Sequence, residues 1–237
     1  NIQSTLNNLN PEEIKFLQYL KNTSNNDKLL AKAIKNSSAK VVLGYFFQND
    51  EKALEHIDTK DIKIHTKNII NSRYQFERYS SQKAKNVTLE EMVYPQSNIK
   101  EISDAASLSG YFNFFPDDDG AVRWLHTVLK YKDTLYAPLS LITASAFLDS
   151  SLTINIEEYG VHNIQVGHLS IPTDESGRVL INYRGEEKSF PHISVTDILA
   201  GKVPQNKLKN KIVLIGATAI GIYDLRVTPF GNVFPGL

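Results

Sequence analysis

The sequence contains no cysteine in its 237 residues, which excludes disulfides and thiolate chemistry without assigning a compartment. It also lacks a charge excess. Its 26 basic and 26 acidic residues cancel, which argues against a nucleic-acid surface, where a basic surplus is the rule. No apolar run reaches the roughly 18 residues needed to cross a bilayer. The longest, Ala137 to Phe147, is interrupted by Ser140, Thr143 and Ser145 and predicts a buried helix. There is no signal-peptide pattern, no initiating methionine at Asn1 and no polar tail after Pro235-Gly236-Leu237. These features lead to the expectation of a soluble piece excised from something longer. Internal repeats and low-complexity tracts are absent.

Catalytic motifs are missing as well. No serine sits in a Gly-x-Ser-x-Gly elbow. The six histidines show no metal-ligand spacing and read as surface or edge-strand residues. Gly216 to Gly221 has the glycine spacing of a phosphate loop, but Ile222 stands where the lysine belongs. Thr218 breaks the dinucleotide-binding glycine pattern. Asp117-Asp118-Asp119-Gly120 lacks the later glutamate of a calcium loop and reads as a turn of solvated carboxylates. No cofactor, no metal and no catalytic residue is expected.

Two segments carry information. Lys211-Ile-Val-Leu-Ile-Gly216 is an apolar, β-branched run ending in glycine, which predicts Ile212–Ile215 as a fully buried parallel strand. Lys40 to Phe47 also reads as a buried strand, and its Val41–Leu43 part is expected beside or close to Ile212–Ile215. The loop from Gly216 to Thr228 then leaves the carboxyl end of a strand, where pockets gather. The second segment runs from Gly110-Tyr-Phe-Asn113 through Asp117-Asp-Asp-Gly120 to Arg123.

Elsewhere the spacing predicts helices over 11–21, over 27–34 with Asp27 as N-cap and Leu30, Ala33 and Ile34 inward, and from Pro138 to Leu148. A further helix spans 194–201, with Ser194 as N-cap, Asp197 as its capping-box partner and Gly201 ending it. Strands are expected at 107–115, 153–156, 164–171 and 178–183, with alternation over 121–129 and a hairpin turn at 131–134. The polar stretch 48–98 is the least periodic. Short helices are assigned there to 69–79 and 89–92. The fold class is α/β: a mixed sheet with buried central parallel strands, flanking helices and an antiparallel hairpin section, in a single domain over 1–237.

Four pieces in order resemble the type-two CHASE domain, a cyclase- and histidine-kinase-associated sensory extracellular family. They are Asp27 to Ile34 with Val41-Val-Leu-Gly44; Gly110-Tyr-Phe-Asn113 with Pro116-Asp117, Asp119-Gly120 and Arg123; Ile171-Pro172 with Gly177 and Ile181-Asn-Tyr183; and Lys211 to Ala219 with Asp224, Thr228-Pro229 and Pro235-Gly236. The resemblance implies a sensory input domain on the periplasmic or extracellular face of the bacterial cytoplasmic membrane, flanked by its own membrane helices. It implies a cytoplasmic effector, an adenylate or guanylate cyclase or a kinase. The partners implied are a small-molecule or protein ligand and a second copy in a homodimer, with no nucleic acid.

The resemblance gives no residue a known binding role. Chemistry marks Asp117, Asp119, Gly120, Arg123, Gly216, Thr218, Asp224 and Thr228 as candidates, either for ligand contact or for a structural lock in which Arg123 forks onto Asp117 or Asp224. On the residues alone, a soluble α/β enzyme or solute-binding domain acting on a small molecule stays open as the alternative.

Overall fold

The computed structural model describes residues 10–16, 25–185, 189–216 and 225–235. Residues 11–16 are helical, started by a reciprocal cap. The Asn10 carboxamide accepts from the Glu12 and Glu13 N–H groups, and Glu13 accepts from the Asn10 N–H. Helix α1, Asn26–Asn36, is capped by Asn25, whose Oδ1 accepts from Lys28 N at 3.0 Å. That corrects Asp27 as the cap: Asp27 sits in the first turn, where its charge still suits the helix dipole. The expected inward face of α1 is not buried, and Leu29 and Leu30 are each half exposed.

Strand β1, Val42–Gln48, lies between two neighbours. It pairs antiparallel with β3, Tyr94–Gln96, and parallel with β4, Leu108–Tyr111. Gly44 and Gly110 face each other across the parallel pair. Two short helices, α2 (Thr59–Asn68) and α3 (Lys100–Ser103), precede helix α4, Leu139–Leu148, which starts against this spot. A Cβ on Gly110 would lie 2.5 Å from the Leu139 Cα, so glycine is what lets the helix reach the sheet. Helix α4 buries only Leu141 and Ile142, while Phe147 and Leu148 stay exposed, so this apolar run is covered on one side rather than enclosed.

The second sheet has the order β10-β9-β8-β2. Strands β8 (Leu152–Glu157) and β9 (Gly160–Val166) form a hairpin, β10 (Leu169–Pro172) adds antiparallel, and β2 (Phe76–Tyr79) pairs parallel with β8. Alternation in β8 turns Leu152, Ile154 and Ile156 to the core. In β9 the buried Val161 and Ile164 are three apart. A register shift opposite Asn155–Ile156 absorbs the odd residue as a bulge.

Two cores result. One gathers the aliphatic residues of β8 and β9 with Leu141 and Ile142. The other is aromatic: Phe47 lies 5.3–6.0 Å, ring to ring, from Tyr45, Tyr111, Tyr131 and Tyr136. The hairpin of β6 (Leu129–Tyr131) and β7 (Thr134–Tyr136) runs between them. Leu129 and Tyr136, opposite in register, face the aromatic core, while Leu135 joins the aliphatic one.

The mixed α/β architecture with parallel and antiparallel strands is as expected, but several elements differ. Ile212–Ile215 is not a strand, and its residues are 48–86% exposed. The reason lies in the sheet. One side of β1 is taken by β4, and the other by β3 and by Asn98, whose amide donates to the Gly44 carbonyl. Beyond β4, Tyr111 meets Ala137 and Pro138. The parallel neighbour of β1 is therefore Leu108–Tyr111.

The helix assigned to 69–79 is one 3-10 turn, Ile70–Ser72, followed by β2, because Tyr74, Phe76 and Tyr79 favour the extended chain. Residues 89–92 are extended and hydrogen-bond both ways with Lys130. The strand 164–171 is cut at Gly167, which has φ +59°. The 194–201 helix is Val195–Leu199, here α5. Ser194 caps Thr196 N, and Asp197 pairs with Lys202 instead of closing a capping box. Residues 217–224 lie outside the described part.

Candidate functional site

Pro116 ends the extended run, and the next four residues form a turn. Gly120 N–H donates to the Asp117 carbonyl at 2.7 Å, Asp117 N–H donates to the Ala121 carbonyl at 2.9 Å, and Gly120 has φ +82°. The Asp119 carboxylate accepts from Ala121 N–H at 3.0 Å. Arg123 folds back over the turn. Its Nη1 donates to Asp117 Oδ2 at 2.7 Å and to Asp119 Oδ1 at 2.9 Å, and its Nη2 donates to Asp119 Oδ2 at 2.7 Å. This is a fork on one carboxylate with a second carboxylate on its flank. The Arg123 hydrogen bond holds the Asp119 carboxyl down to about 2, and the two aspartates hold the guanidinium charged.

The segment after the turn is paired on both sides. On one side, Val122 N–H donates to the Val227 carbonyl in β12, Leu225–Thr228. On the other, β5 (Trp124–His126) pairs antiparallel with β11 (Arg178–Leu180), and the ladder extends as Ile181 N–H donates to the Arg123 carbonyl. The Tyr183 hydroxyl closes the arrangement by donating to the Val122 carbonyl at 2.7 Å, while its ring meets Phe230 edge to face at 6.2 Å. Phe230 lies in the turn between β12 and β13, Gly231–Pro235. Thr228 is buried at the end of β12, where its hydroxyl accepts from Phe230 N–H.

The structure thus brings Asp117, Asp119, Gly120, Arg123 and Thr228 into one neighbourhood, linked through Val122 and Val227. Gly216 is not tied to it: it ends the exposed stretch 211–216 and makes no hydrogen bond among the described residues. Thr218 and Asp224 lie outside the described residues. Arg123 therefore forks onto Asp117 and Asp119, and a fork onto Asp224 falls outside what is described.

An open cleft of about 470 Å³ lies elsewhere, lined by Arg73, Gln75, Glu77, Asp133 and Thr134 among others, and includes none of the candidate residues. Among the described residues no group of three or more His, Asp or Glu side chains converges as a metal set.

Two participants escaped the sequence reading. Asn113 is a backbone mimic: its carboxamide accepts from Phe47 N–H and donates to the Phe47 carbonyl, both at 2.7 Å, continuing the pairing of β1 past the end of β4. Its place in the Phe-Asn pair after a strand was the available signal. His126 lies on an edge strand, β5 of a two-stranded sheet, and is half-buried. Among the described residues its Nδ1 is buried without a hydrogen-bond partner, and its ring meets Phe115 at 4.5 Å. Its position on the same alternating face as Val122 and Trp124 was the signal for it.

This arrangement clamps three chain segments together, and among the described residues it holds no nucleophile–base pair. Neither the curated proteins nor the solved structures contain a match to the chain. A family model described as the CHASE2 domain matches residues 2–237, so the chain belongs to the CHASE2 family, a family of extracellular sensory domains of signalling receptors.

Proposed function

We propose that this chain is the extracytoplasmic input domain of a bacterial transmembrane receptor, and that it regulates a cytoplasmic nucleotide cyclase or kinase. The observation that carries the reading is the family match over residues 2–237. The domain forms one unit over 1–237. It binds a small molecule or a protein segment at the outer face of the cytoplasmic membrane and works as a homodimer. In this reading Arg123 and its two aspartates lock the turn rather than bind the ligand, because all three Nη contacts on the guanidinium go to the chain's own carboxylates. The β12–β13 hairpin is the relay, since the clamp at Val122 and Tyr183 grips it. A ligand shifts such a relay only by binding its two arrangements with different affinity.

The coding sequence around this segment tests the reading. Apolar stretches of about 18 residues or more are expected on both sides, followed by a cyclase or kinase domain. A gene with neither flanking apolar stretches nor an effector domain overturns it.

A further inference from the structure

We propose that His126 makes the β5–β11 pairing a pH-sensitive latch, closed while the imidazole is neutral and loosened when it takes a proton. The inference concerns the chain by itself and stands whatever effector follows it.

The geometry carries it. His126 lies directly opposite Arg178 in the antiparallel register. Its Nδ1 is buried, has no hydrogen-bond partner among the described residues, and sits on a ring already packed against Phe115. The groups facing it are few. Arg178 comes from β11, Asp174 from the turn before β11, and Tyr111 from β4, whose hydroxyl donates to the His126 carbonyl at 2.7 Å. Tyr111 stays neutral, because burial pushes its hydroxyl well up.

Asp174 is the one carboxylate among them, and it is already committed. It accepts from Arg178 Nε at 2.8 Å and from Arg178 N–H at 2.7 Å. The Arg178 guanidinium also lies over the Trp124 ring, 5.1 Å from its centre. A proton on His126 therefore puts a second cation beside a paired arginine, with no free carboxylate among the described residues to meet it.

Burial first, and Arg178 second, push the imidazole below its ordinary value of 6.5. The sign follows. The unfolded chain binds this proton more readily than the folded chain, so the stability tied to neutral His126 is complete above about 6.5. It declines as pH falls below that value, until the folded-state value is passed.

What loosens is defined by the chain. Strand β11 leads to Ile181 on the Arg123 carbonyl and to Tyr183 on the Val122 carbonyl, beside Phe230 of the β12–β13 turn. Protonation at one strand end thus reaches the clamp on the hairpin.

The test is nuclear magnetic resonance on the 237-residue chain across pH 5 to 8. It follows the His126 ring signals, assigned with a His126→Gln variant, and hydrogen exchange at Ile181 N–H corrected for intrinsic rates. The expected result is a His126 midpoint below 6.5, with Ile181 protection falling by about tenfold or more through that midpoint while Ile164 is unaffected. The Gln variant should lose this dependence. A midpoint at or above 6.5, or Ile181 protection that stays flat through the titration, overturns the proposal. So does a folded Gln variant with the same pH dependence. If that variant does not fold, assigning the ring signals from their contacts to Phe115 keeps both wild-type readouts decisive.

Discussion

Arg123→Ala removes three charge-assisted hydrogen bonds from the 117–120 turn and leaves Asp117 and Asp119 side by side without their shared cation. All three groups are partly exposed, so solvent screens the loss. The expected outcome is a melting temperature lower by roughly 2–4 °C and faster proteolysis at the turn, both read on the purified chain. The acid limb should change too. Asp119 is held down to about 2, so its contribution is complete above its ordinary value of 3.8 and is lost as pH falls through about 2. The variant should lose that part of the acid dependence. Asn113→Ala should cost more, about 1–3 kcal/mol in denaturant unfolding, because it strands the N–H and carbonyl of the buried Phe47. The turn and its arginine were legible in the sequence because their chemistry is local. The tie between Asn113 and Phe47 was not, because it spans 66 positions.

At the scale of elements, the two facing glycines make a graded test. Gly110→Ala would drive a methyl into the backbone of Leu139 at 2.5 Å, so α4 must leave the sheet. Gly44→Ala would meet the edge of the Phe112 ring at 2.9 Å, and a half-exposed ring can turn away. The expected order of melting temperatures is wild type, then Gly44→Ala, then Gly110→Ala, with the last expressed poorly or not at all. Equal melting temperatures would show that α4 does not sit on Gly110. Periodicity found α1, β1, α4 and the β6–β7 hairpin, since each is set by neighbours a few residues away. It failed at 69–79, where three aromatic residues decided for strand over helix. It failed again at Ile212–Ile215. An apolar run reports a tendency toward burial, but pairing needs a free sheet edge, and both sides of β1 are taken.

For the whole molecule, the proposed relay joins the family's sensory role to the clamp. The Asp-Gly turn, residues 181–183 after β11 and the β12–β13 hairpin meet on the short segment 121–123, so displacing one disturbs the others. The candidate residues of the turn and Thr228 came together in space although more than a hundred positions separate them. The sequence signalled each piece but not their contact. The most direct test of the proposed relay is the specific activity of the effector proposed to follow this domain, in membranes carrying the full-length protein with Thr228→Val. This change keeps the volume of the buried side chain and removes the hydroxyl that accepts from Phe230 N–H. At equal protein level, basal output is expected to differ from wild type by about fivefold or more. An output indistinguishable from wild type would contradict the hairpin's role as the relay.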